Sequence, residues 1–216
     1  MIHICFHGIG RCTTEREPGE ARYWMPQDTF LAVLDELADL PRVQLSFDDG
    51  NRSDADIALP ALRERGMSAT FFALAGRLDD PASLGPADLS DLRAAGMSIG
   101  SHGWEHVPWR GLDAAQARRE FVTAREALAA AAGTAITEAA LPLGRYDRTV
   151  LRRLREAGYR AVYTSDRFPA RAGAWLRPRY SVTATDTADT VRAIARGRVG
   201  AGEVRNAVAS AVKRVR

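Results

Sequence analysis

"LSFDDGN", residues 45–51, sets two carboxylates, Asp48 and Asp49, side by side between an apolar run and a glycine. The run "VQLSFD" (43–48) reads as a short strand. The helical pattern after it, over 54–65, can start at a cap on Ser53 or Asp54 and stops at Gly66. Two acids at a strand end repel each other. Either they form a plain turn ahead of the helix cap, or a positive charge gathers them.

The strand-then-helix pattern repeats along the chain. Short apolar runs at 2–7, 43–48, 68–74, 97–102, 136–142, 160–165 and, weakly, 179–184 alternate with helical stretches near 27–40, 54–65, 86–95, 113–132, 147–157 and 186–197. Such alternation implies parallel βαβ units. Seven units in about 200 residues suit a barrel-like α/β fold, with a doubly wound open sheet as the alternative. In either fold, chemistry collects at the C-terminal ends of the strands, where this chain has His7, Asp48, Asp49, His102 and Pro142.

Half of the four histidines lie in "GSHGWEH" (100–106), as His102 and His106. On a helix or tight turn this spacing turns both imidazoles to one side. Two imidazoles and a carboxylate make a common divalent-metal set with positions left for water and substrate, and zinc, cobalt, nickel or iron tolerates it. One aspartate then serves as a ligand. Its neighbour takes a proton from the water, whose pKa a cation lowers from about 15.7 toward 7. Asp49 as ligand and Asp48 as base is one division of labour.

These residues carry a resemblance. "SFDDG" and "SHGWEH" are similar to the first two motifs of the polysaccharide deacetylases, the NodB-homology or carbohydrate esterase family 4 enzymes, with Gly103 at a position where the family has a hydroxyl residue. "ALPLGRYD" (140–147) resembles the third motif, and "FHGIG" (6–10), "SATFFALAGRL" (68–78) and "LREAGYRAVYTS" (154–165) fit the family's strands, so that the likeness spans about residues 3–185. The resemblance implies a distorted (β/α)7 barrel in one domain over 1–216, with a C-terminal helix at about 201–216. It implies removal of an N-acetyl group from a sugar or glycan intermediate with the help of one divalent ion, zinc before the others. In that scheme Asp48 is the base, Asp49, His102 and His106 bind the metal, and the backbone N–H of Leu143 is the oxyanion donor. A non-sugar amide or formamide, as in allantoinase-like or deformylase-like relatives, and a non-catalytic glycan-binding member are the alternatives.

The match breaks in three places. Ala140 stands where the third motif often has an arginine that orients the catalytic aspartate; Arg179, in "WLRPRYSV", is the candidate substitute at the substrate site. No histidine follows His106, so the family's C-terminal general acid is missing. His7 is the candidate replacement, because closing a barrel sets the first strand beside the last; alternatively Asp48 returns the proton itself. The fourth motif has no counterpart, and Trp104, with Trp175 behind it, is read as a sugar-stacking platform.

The bulk properties exclude other classes. Net charge is +3, and Lys213 is the only lysine among 30 basic residues. No dense basic stripe interleaved with aromatics marks a nucleic-acid groove. Cys5 and Cys12 form neither a disulfide framework nor a zinc ribbon. No apolar window is long enough to span a membrane, and "MIHICFHGIG" does not read as a signal peptide, which points to the cytoplasm. The stripe Val204, Ala207, Val208, Ala211, Val212 and Val215 predicts a tail helix packed on the barrel, its final cations complementing the helix dipole.

Overall fold

The computed structural model describes residues 1–197 and 200–216. Its strands are β1 (Ile2–Phe6), β2 (Gly8–Ile9), β3 (Trp24–Met25), β4 (Val43–Asp48), β5 (Ala69–Ala73), β6 (Ser98–Ser101), β7 (Glu138–Ala140), β8 (Ala161–Thr164), β9 (Leu176–Pro178) and β10 (Tyr180–Ser181). Eight of them form one parallel sheet in the order β10-β1-β4-β5-β6-β7-β8-β9. The ends of that order, β9 and β10, are a single run of chain broken only at Arg179. Its first half pairs with β8 and its second half with β1, so the sheet curls into a nearly closed barrel whose seam lies at Arg179. The sequence pattern caught only the second half of this strand. It also missed the side ribbon in which β2 pairs with β3.

Alternation along the strands sorts the residues. Ile2, Ile4, Phe6, Leu45, Phe47, Ala69, Phe71 and Ala73 pack in one buried cluster with Phe30, Val33, Leu34 and Leu37 of helix α1 (Gln27–Leu37). Within it Phe47 stacks on Phe71 at 4.7 Å and on Phe6 at 5.2 Å, while Phe30 meets Phe6 edge-on at 5.2 Å. Such aromatic pairs contribute about 0.5–1.5 kcal/mol each beyond the area they bury. The alternate residues point into the lumen, where Phe72, Ala140, Ala161 and Tyr163 form a separate small cluster between polar groups. At its N-terminal mouth His3, Gln44, Thr70, Ser98 and Arg177 border a cavity of about 390 Å³. Burial pushes the His3 imidazole down to about 3, so it is neutral there. A plug closes the waist, where the Arg179 guanidinium lies over the rings of Phe72 and Tyr163.

The outer helices are α1, α2 (Leu59–Glu64), α3 (Pro86–Ala94), α4 (Ala114–Arg118), α5 (Ala124–Ala132), α6 (Arg148–Glu156), α7 (Ala188–Ala195) and α8 (Ala201–Val215). Asp113 and Asp147 cap α4 and α6, accepting from the backbone N–H of Gln116 and Val150 at 2.8 and 2.9 Å. A cap of this kind contributes about 1 kcal/mol. The expected cap at Ser53 or Asp54 is not formed. A wide turn over Asp54–Ala58 precedes α2, and Ser53 Oγ accepts from the backbone N–H of Ile9 instead. Asp54 is fully buried, and burial, with Asp49 and Asp48 nearby, drives its carboxyl well above the usual range.

The tail helix corrects one expectation. Val204, Val208, Val212 and Val215 are exposed. α8 docks through its polar side: Ser210 meets the Tyr146 hydroxyl at 2.8 Å, Lys213 reaches Asp166 at 2.6 Å, and Asn206 donates to the Arg167 carbonyl. Hydrogen-bonding groups at that end of the barrel outweighed a stripe of small apolar side chains. No helix of the described residues is long and apolar enough to cross a membrane.

Candidate active site

Asp48 is the last residue of β4, Asp49 follows it, and His102 follows β6. Among the described residues, four non-glycine positions hold left-handed backbone, and three of them lie in this region: Asp49 (φ 74°), His106 (φ 52°) and Leu143 (φ 56°). Each such conformation costs of order 1–3 kcal/mol and persists only where packing dictates it. His102 and His106 do not share a helix. The chain bends sharply at Gly103 (φ 90°), where a side chain would run into the Glu120 carboxylate and the Trp109 ring. That crowding, with the positive φ, explains the glycine at 103. Glu120, itself buried, holds the bend by accepting from the Trp104 N–H at 2.7 Å.

Asp49, His102 and His106 converge. Asp49 Oδ1 stands 3.4 Å from the Nε2 atoms of both histidines, and it has no hydrogen-bond partner among the described residues although it is buried. The far side of each ring is anchored. His102 Nδ1–H donates to the Ala140 carbonyl at 3.0 Å, and His106 Nδ1 lies 2.7 Å from each carboxylate oxygen of Glu17. Both Nε2 lone pairs therefore face Asp49. Donors at the corners of a tetrahedron, each about 2.0–2.1 Å from a zinc ion, stand about 3.3 Å apart. The orphaned carboxylate oxygen and the spacing of the three donors fit a divalent cation. Burial pushes His102 down to about 4, which keeps it neutral as a ligand must be. Burial also pushes Asp49 up, but the imidazoles of His7, His106 and His102 outweigh it and leave the carboxyl below its ordinary value.

Asp48 is held differently. Arg179 grips both its oxygens, Nη1 to Oδ1 and Nη2 to Oδ2, at 2.6 Å each, and Nη1 also donates to Ser46 Oγ at 3.0 Å. Both partners are buried. Burial alone would raise the Asp48 carboxyl; the guanidinium beside it wins and holds it well below the usual range. A two-pronged pair of this kind fixes the plane of the carboxylate as well as its charge. Arg179 thus contacts Asp48 from the waist of the barrel.

A cleft of about 290 Å³ opens over these groups, with His7, Tyr23, Leu143 and Arg145 in its walls. The His7 ring lies 4.7 Å from that of Tyr23, and its Nδ1 is buried without a partner among the described residues. Leu143 follows β7 and is half exposed at the rim. Trp104 does not line the cleft: it packs on Gly76 with Arg119 over its ring. Trp175 is also elsewhere, donating to the Tyr159 carbonyl under Arg155. The tryptophan expected at the substrate is thus used as an outer brace of the loop. Sequence reasoning did not find Glu17, Tyr23 or Arg77, which come to the cleft from loops whose path no periodic pattern records.

A nearly closed parallel barrel with acids and paired imidazoles at its strand ends defines a class of α/β barrel that carries its polar site at one mouth. Comparison narrows it. The model of the polysaccharide deacetylase family matches residues 38–162, and the chain belongs to that family. YxkH of Bacillus subtilis, named for the same family, is 27% identical over 124 residues, which are 57% of this chain and 44% of that protein. The chain spans about half the length of the curated relatives it matches. Its fold is shared with the Streptococcus pyogenes deacetylase PplD, solved in complex with acetate, at a TM-score of 0.76 and 19% identity over 88% of this chain and 96% of that one. IcaB from Ammonifex degensii gives 0.72 and 21% over 91% and 97%.

Proposed function

We propose that this protein hydrolyses the N-acetyl group of an N-acetylated sugar or glycan intermediate with one divalent ion, zinc first among the candidates, bound by Asp49, His102 and His106. The observation that carries this reading is the orphaned Asp49 Oδ1 at 3.4 Å from two anchored Nε2 atoms. A bound cation supplies Lewis acidity, polarising the amide carbonyl and making water acidic enough to react near neutral pH. Asp48 stays ionised, because Arg179 keeps its proton affinity low. It accepts the proton of the attacking water as the new C–O bond forms. The Leu143 N–H donates to the developing oxyanion, a contribution of about 3 kcal/mol for one such donor. His7 hands a proton to the amine nitrogen as the C–N bond breaks. A cleft of about 290 Å³ is at the small end of ligand sites and suits a single sugar ring and its acetamido arm.

Acetate release from N-acetylglucosamine oligomers tests the reading. Turnover should vanish with a chelator and return with zinc or cobalt. Stoichiometric metal without acetate release from any acetylated sugar would leave a binding protein. One observation favours a non-sugar amide: neither Trp104 nor Trp175 reaches the cleft. A panel that sets N-acetyl sugars against cyclic ureides and formamides separates the two.

His7→Gln should lower turnover about 100-fold or more and remove the alkaline limb of the pH–rate profile. Full turnover with that limb unchanged would mean that Asp48 returns the proton.

A further inference from the structure

We propose that Glu17 is a positioning residue for the metal site: it aims the His106 imidazole and ties the loop over 10–23 to it. The inference rests on the metal reading above and extends it to a residue outside the ligand set. The two histidines are anchored by different means. His102 leans on a main-chain carbonyl of β7, part of the rigid sheet. His106 sits in strained backbone on a loop, and its Nδ1–H donates to a carboxylate 89 residues earlier in the chain. Without that carboxylate the described residues give the ring no other hydrogen bond to fix its rotation. An anionic acceptor also raises the basicity of the opposite nitrogen, the one that faces Asp49.

Glu17 is itself held. Arg77 donates to its Oε1 at 3.1 Å, and the preceding Arg16 pairs with Glu20 within the loop and pins it to Ser83 and Asn51. Pro18, Gly19 and Tyr23, on the same loop, form one wall of the cleft. The contact that turns His106 toward the cation is therefore also a contact that holds the wall in place.

Zinc affinity, measured by competition with a chromophoric chelator, tests this on the full chain. Glu17→Ala should weaken zinc binding about 10–100-fold. Glu17→Gln, which still accepts a hydrogen bond but carries no charge, should recover part of that loss. The visible absorption of the cobalt-loaded protein should shift in both variants. Glu15→Ala is the control. Glu15 accepts from the Ala21 N–H in the same loop at 2.8 Å, away from His106, so that its loss loosens the loop alone and should leave zinc affinity unchanged. Unaltered affinity and spectrum in Glu17→Ala would overturn the proposal while leaving the metal site intact, as would a Glu15→Ala variant that weakens zinc equally. No zinc binding by the unaltered protein would remove both.

Discussion

Replacing Arg179 by methionine should cost about 3–5 kcal/mol of unfolding free energy, because a buried carboxylate loses its partner. Methionine keeps much of the volume at the waist between Phe72 and Tyr163 but offers Asp48 nothing. The pH dependence distinguishes this cause from a packing defect. In the native protein the Asp48 carboxyl is held below its ordinary value. It therefore contributes stability that is present above the unfolded value of about 3.9 and lost as pH falls below it. In the variant, burial is opposed only by the weaker pull of His102 and His7, and the folded value rises. Protonation then favours the fold, and the deficit should shrink as pH drops from 7 toward 5 in urea titrations. A deficit that stays constant over that range would point to packing. Turnover should also fall, since an acid in that state is neither charged nor aimed. Arg179→Lys, which keeps charge but loses the fork, should recover much of the stability and less of the rate.

Asp48→Asn should reduce turnover by about 10²–10⁴-fold, the usual contribution of a positioned proton acceptor, with zinc still bound one to one. The amide oxygen can still accept from Arg179, so the fold should survive with a smaller penalty than in the methionine variant. Metal analysis and kcat on the same preparation decide the matter. If zinc is lost with the activity, the roles of Asp48 and Asp49 are reversed.

The strands were legible because their alternation is clean: Ile2, Ile4 and Phe6, or Leu45 and Phe47, sit two apart and face the helices. The last strand was half missed because Pro178 and Arg179 interrupt its apolar pattern at the point where it changes neighbours. At the site, "SFDDG" and the paired histidines could be read because each lies next to a strand end. The spacing of His102 and His106 allowed a helix or a tight turn; the turn is what forms, through left-handed backbone at Gly103 and His106 that the spacing alone does not specify. Glu17 left no signal at all: an acid in a polar loop looks the same whether it faces solvent or an imidazole. Trp104 misled because proximity along the chain to His102 does not say which side of the loop a ring occupies.

The joint at Arg179 has a consequence for assembly. The guanidinium that grips Asp48 belongs to the stave that closes the cylinder, so the acid acquires its partner only when the final segment has docked. A chain stalled short of that point would carry an unmated carboxyl at its mouth, and partial denaturation that frees this stave should abolish the proposed turnover while the helices remain wound.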